Sequence, residues 1–225
     1  MKRSEFYEGY KLTRDKSWDI LLQCGIKKLP IDVFDVCKHL GIEVYTYAGS
    51  FDLRRSLNAH TYGTANGGFS ARHGDKYMIF YEHRLPSEGR IRFTVAHEIG
   101  HIVMGHLLYN NVACRGGVTM HNNSATIQQV GNEEHIANVF ASRLLAPACV
   151  LWGLNVWAPE HIASLCGLSK KASEIRAERM RELYLRNDIY KMRYNKTCFL
   201  QSPKERKVFE QFLPFINRSL RHRYK

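Results

Sequence analysis

Apolar residues recur along the chain with two periods, and these divide it into blocks. "SWDILLQCGIKKLP" places Trp18, Leu21, Leu22 and Ile26 at helical spacing, with Gly25 near the end and Pro30 as a stop. "PIDVFDVCKHLG" repeats the pattern through Ile31, Phe34 and Leu40, and Gly41 fits a position just past a helix C-terminus. Two helices should therefore precede the first strand. "IEVYTY" alternates, and "DKYMIFYEH" is a branched and aromatic run without Pro or Gly, so both read as strands. The Gly- and Asn-containing sequence between them, including "YGTANGGF", reads as turns.

A third block predicts a helix from about Glu88 to Leu108, with Ser87 as its N-cap after Leu85-Pro86. "YNNVACRGGVTMHNNSATIQQVGN" then reads as a long loop. "EEHIANVFASRLLAP" is a further helix, with Asn132 as candidate N-cap and Pro147 just past its end. More helix follows from Pro159 to Asn187, an irregular stretch covers Asn195–Ser202, and a last helix runs from Pro203 to Ser219. There is no internal repeat. The domains expected are residues 1–157, holding the strands and the histidine-bearing helix, and 158–225, a basic helical region.

Composition changes this picture little: 44% hydrophobic and 24% charged residues describe a globular chain and exclude a disordered one. "MKRSEFYEGYKLTRDK" has a basic start but no apolar core, so no secretory signal is expected. Charged residues interrupt "IRFTVAHEIGHIVMGHLL", the most apolar window, so no membrane span is expected there. The expected setting is the cytoplasm, with the six cysteines, none in a C-x-x-C pair, reduced and mostly buried.

Charge matters more. The net charge is +12, and from Lys170 onward 16 Lys/Arg face 6 Asp/Glu. Such a region meets nucleic acid, meets an acidic partner, or is simply a solvated face. "IASLCGLSKKAS" has the outline of helix, glycine turn and Ser169-capped helix, so a helix-turn-helix that binds DNA stays open beside a helical unit packed on its own domain.

The candidate chemistry lies in His97–His101, an H-E-x-x-H pentad. Average composition yields it by accident in on the order of one chain in a hundred of this length. Residues four apart share a helix face, so His97 and His101 can aim at one zinc ion. Glu98 reaches the side where water binds and can take that water's proton as it attacks a carbonyl. Gly100 costs about 1 kcal/mol relative to Ala in a helix, which suggests that something approaches closely there.

A catalytic zinc needs a third protein ligand and an open fourth position. Metzincin spacing would put Gly and His where Met104 and Leu107 stand. On a continuous helix His106 points about 180° away from His97, so it is not expected to join the same metal. The next helix offers Glu134, with Asn138 four residues on and able to hold a ligand histidine through a hydrogen bond. Glu133 is the fallback ligand, and a first-turn glutamate serving the helix dipole is the plainer alternative. For the developing oxyanion, His60, Tyr62, Tyr109, His121 and Arg143 are all conceivable donors. Lys76–His83 is either an exposed edge that a substrate strand could join or an internal strand with core aromatics.

"RFTVAHEIGHIVMGH" followed by Glu134, Ala137, Asn138, Phe140, Ala141, Leu144, Leu145 and Pro147 resembles the ImmA/IrrE family of metallopeptidases. The likeness runs from about Leu21 to Pro147 and more loosely to Asn187. It implies an α+β, zincin-like minimal core: helices with a small mixed sheet, the active-site helix beside an edge strand, plus a C-terminal helical extension. It also implies zinc-dependent cleavage of a protein substrate, a helix-turn-helix repressor of a phage or mobile element. The competing function is a DNA-binding or protein-binding regulator with a non-catalytic zinc site.

Overall fold

The computed structural model describes residues 3–57, 67–107, 112–114 and 127–223. They form helices α1 (Arg3–Gln23), α2 (Val33–His39), α3 (Phe51–Ser56), α4 (Glu88–Val103), α5 (Ile127–Leu145), α6 (Ala148–Gly153), α7 (Pro159–Cys166), α8 (Lys170–Tyr194) and α9 (Pro203–Arg223), with strands β1 (Ile42–Thr46), β2 (Gly68–His73), β3 (Lys76–Tyr81) and β4 (Val112–Cys114). This is the α+β, zincin-like arrangement expected, mostly helical around a small mixed sheet. The chain divides into two compact units, Met1–Lys16 with Asp32–Ala141, and Ser17–Ile31 with Ser142–Lys225.

The sheet of the first unit has the order β1-β3-β2-β4. β3 runs parallel to β1 and antiparallel to β2. So Lys76–Tyr81 is internal, and its candidacy as an exposed edge is overturned. Three consecutive buried residues, Met78, Ile79 and Phe80, show that both faces of this strand are covered as well, which is why it reads as continuous apolar sequence. The edges are β1 and β4.

β2 lies where turn sequence was expected. Its register with β3 closes on His73 opposite Lys76, leaving Gly74–Asp75 as a two-residue hairpin loop with Gly74 at φ 59°. The two faces of β2 do different work. Phe69 and Ala71 join Tyr47, Met78 and Phe80 in a core cluster, with the Phe69 and Phe80 rings stacked 4.8 Å apart. Gly68 and Ser70 look the other way, toward α4. A Cβ on Gly68 would lie 2.5 Å from Thr94 Cγ2, so glycine there lets the strand close on the helix.

Helix α4 begins as expected, with the Ser87 side chain accepting from the backbone N–H of Arg90. It ends five residues early. Met104 is its C-cap, Gly105 adopts φ 79°, Gly105 N–H bonds Ile102 C=O, and His106 N–H bonds His101 C=O. This is a Schellman stop, made possible by glycine in the left-handed region. α5 begins five residues before Asn132, which is therefore inside the helix and not its cap. α1 starts well before Ser17; small polar residues such as the buried Thr13 and Ser17 fill its packed face and hide the period.

In the second unit, α6 to α9 and residues 17–31 share a core that includes Leu21, Leu151, Ile162, Met180, Val208 and Phe212. Gln211 donates to the carbonyls of Leu21 and Ile26. Buried Arg176 donates to the carbonyl of Ala146, just past the end of α5, where a cation complements the helix dipole. α7 ends on Gly167 at φ 62°, and the Ser169 side chain caps α8, so the helix–turn–helix outline exists as a local shape.

Candidate metal centre

The centre belongs to the first unit and rests on the packing of α4 against α5. Gly100 explains the contact. A Cβ there would stand 3.1 Å from Phe140 Cδ1 and 3.2 Å from both Cα and O of Ala137. The glycine thus admits the backbone of α5, and α5 brings Glu134 and Asn138 to the histidine face.

His97, Glu98 and His101 are fully buried on α4. His97 Nε2 and His101 Nε2 are 3.0 Å apart. Glu134 Oε2 lies 3.3 Å from His97 Nε2, and Oε1 lies 3.2 Å from His101 Nε2. The ligand-type atoms of these three residues all fall within 4.8 Å of one another. Glu133 is not in that group. The dipole alternative for Glu134 lapses as well, because α5 starts at Ile127 and has no acidic residue in its first turn.

The donor set fits a metal ion. Oδ1 of Asn138 lies 3.1 Å from His97 Nδ1, so that nitrogen carries the proton and the neutral ring turns an Nε2 lone pair to the centre. Two imidazole nitrogens and a carboxylate then face one point, an arrangement of acceptors that a cation satisfies. Bonds of about 2.0–2.1 Å in tetrahedral geometry put ligand atoms roughly 3.3–3.4 Å apart, close to the spacings seen here. In the metal-free state, where the two Nε2 atoms carry protons, burial disfavours ionised Glu134, but hydrogen bonds from His101 and then His97 outweigh it and lower its pKa to about 2.

Two further contacts complete the surroundings, and neither was foreseen from the sequence. Ser70 Oγ donates to Glu98 Oε2 at 2.9 Å, tying that carboxylate to β2. His106 Nδ1 lies 2.9 Å from His101 Nδ1. The expectation that His106 faces away is corrected here: it assumed an unbroken helix to Leu108, whereas the Schellman turn brings the ring back over His101. Gly105 directly before His106 was the available signal. Burial, then the charge of His101, pushes the His106 pKa down to about 3, so the ring is neutral at pH 7. Of the conceivable oxyanion donors, His60, Tyr62, Tyr109 and His121 lie outside the described residues. Arg143 is half-buried further along α5, in the second unit.

A pair of histidines one helical turn apart and a glutamate from a facing helix form a group that could hold a metal ion on an α+β frame, with a buried glutamate next to the first histidine. The chain belongs to the Peptidase M78 family, the IrrE N-terminal-like domain, whose profile matches residues 37–178, more than half of its length. No curated protein matches the chain. Among the described residues one segment, Asn132–Gly153, has the length and composition to cross a membrane; 56% of its apolar window is buried, and it carries Glu134 and Asn138 of the centre.

Proposed function

We propose that the chain is a zinc-dependent endopeptidase that cuts a protein in the cytoplasm, with a helix-turn-helix repressor of a phage or mobile element as substrate. The convergence of His97, His101 and Glu134 on one point, with buried Glu98 next to His97 on the same helix, carries this reading. His97, His101 and Glu134 would hold the ion through two imidazole nitrogens and one carboxylate. Zinc held there would supply Lewis acidity toward the scissile carbonyl and the attacking water. Glu98 is the general base: it takes the proton of the attacking water and returns it to the leaving amine. Ser70 keeps one Glu98 oxygen in place, and Asn138 fixes the tautomer of His97. The repressor substrate is what the resemblance of the two helix motifs to the ImmA/IrrE family implies, and the cytoplasmic setting is inferred from such a substrate.

One observation favours a DNA-binding regulator with a non-catalytic site: α7, Gly167 and α8 form a helix–turn–helix outline in the basic part of the chain. That reading predicts steeply salt-dependent DNA affinity and indifference to Glu98→Gln. The separating experiment incubates a repressor-type protein with wild type and with Glu98→Gln and measures zinc in both. Cleavage by wild type alone, with zinc retained in both, is the result expected. Zinc binding and repressor capture without cleavage by wild type contradicts the peptidase reading.

A further inference from the structure

We propose that His106 is a positioning residue of the metal centre: its Nδ1 accepts the Nδ1 proton of His101 and thereby holds the His101 Nε2 lone pair on the metal point. The proposal rests on the reading of His97, His101 and Glu134 as ligands.

A neutral imidazole that gives Nε2 to a metal carries its proton on Nδ1, and a buried N–H needs an acceptor. At His97 that acceptor is Oδ1 of Asn138, from α5. At His101, buried to 1% exposure, the group that meets Nδ1 is His106 Nδ1 at 2.9 Å. The two rings stand edge to face, 4.9 Å between centroids and 73° between planes, which points one nitrogen at the other and does not stack them.

The backbone dictates this placement. In a Schellman stop the second residue past the cap lies over the residue that accepts its N–H. Here those are His106 and His101, joined by a 3.0 Å backbone bond, with Gly105 at φ 79° supplying the turn. The same bonds that end α4 therefore aim His106 at a ligand. Both ligand rings are held by acceptors from different elements, Asn138 from the facing helix and His106 from the turn. Glu134 is then the anionic member of the ligand set.

The test compares His106→Leu, which keeps an apolar side chain and removes the acceptor, with His106→Asn, whose Oδ1 can stand where Nδ1 stood. Folding of each is followed by circular dichroism. Zinc affinity is measured by competition with a chromophoric chelator, and the geometry by the visible spectrum of the cobalt(II) form. Loss of such a partner weakens metal binding by about 10–100-fold. The Leu variant should show that loss and an altered cobalt spectrum, while the Asn variant keeps most of the affinity and the wild-type spectrum. A folded Leu variant with wild-type zinc affinity overturns the proposal. So do Leu and Asn variants that are equally weak, since packing rather than the hydrogen bond would then matter. Wild type that takes up neither metal fails differently: it removes the ligand reading itself.

Discussion

Gly100→Ala sets two effects of known size against each other. In an isolated helix the change is favourable by about 1 kcal/mol. In the folded chain the new Cβ meets Phe140 Cδ1 at 3.1 Å and the Cα and O of Ala137 at 3.2 Å. Carbon atoms prefer separations of about 3.5–4.0 Å, so α4 and α5 must part by a few tenths of an ångström. Phe140 could rotate, but Ala137 presents backbone that no rotamer change relieves. Overpacking of this kind costs roughly 1–3 kcal/mol, which outweighs the propensity gain and leaves a net loss of up to about 2 kcal/mol. The more telling effect is on the centre, because Glu134 and Asn138 flank Ala137 and move with it. Metal affinity should fall roughly tenfold, since sub-ångström placement controls such sites. Urea denaturation of the metal-free protein measures the first effect and zinc competition the second. An Ala variant that is more stable by about 1 kcal/mol, with unchanged zinc affinity, would refute the close crossing as the reason for this glycine.

Three other outcomes are expected. Glu134→Ala should fold yet lose stoichiometric zinc, measured by metal analysis after dialysis; retained zinc would transfer the third-ligand role elsewhere. Ser70→Ala, which frees one oxygen of Glu98, should leave zinc content unchanged and lower turnover while moving the acid limb of the pH–rate profile; an unmoved profile would reduce Ser70 to packing. In the metal-free protein, His106 with a folded pKa near 3 stays neutral while the unfolded chain takes up a proton below about pH 6.5. Stability should therefore fall as pH drops from about 6.5 toward 3, by up to about 1.4 kcal/mol per unit, and Glu134 adds to the loss from about 4.5 down to about 2. A chemical-denaturation series across that range that stays flat contradicts the buried, neutral His106.

The centre was more legible than the frame around it. H-E-x-x-H and the Glu134–Asn138 spacing are local helix patterns, and helix geometry converts such spacing directly into shared faces. What escaped were features decided by tertiary contact. β2 was hidden because Gly68 and Ser70, the residues facing α4, are small to permit close approach, so the strand lacks an apolar alternation; the Gly74–Asp75 loop was its only overt signal. The edge or internal status of β3 depends on which strands pair with it, which no single strand encodes. His106 was misplaced by extending α4 through Gly105, when a glycine after the last helical turn is itself a stop signal.

The most direct measurement is anomalous diffraction at the zinc edge from crystals grown with zinc. One peak is predicted, about 2.0–2.2 Å from His97 Nε2, His101 Nε2 and a Glu134 oxygen, with no fourth protein ligand. Zinc closed off by a fourth side chain, or bound elsewhere with these three residues free of it, would contradict a catalytic metal centre in this chain.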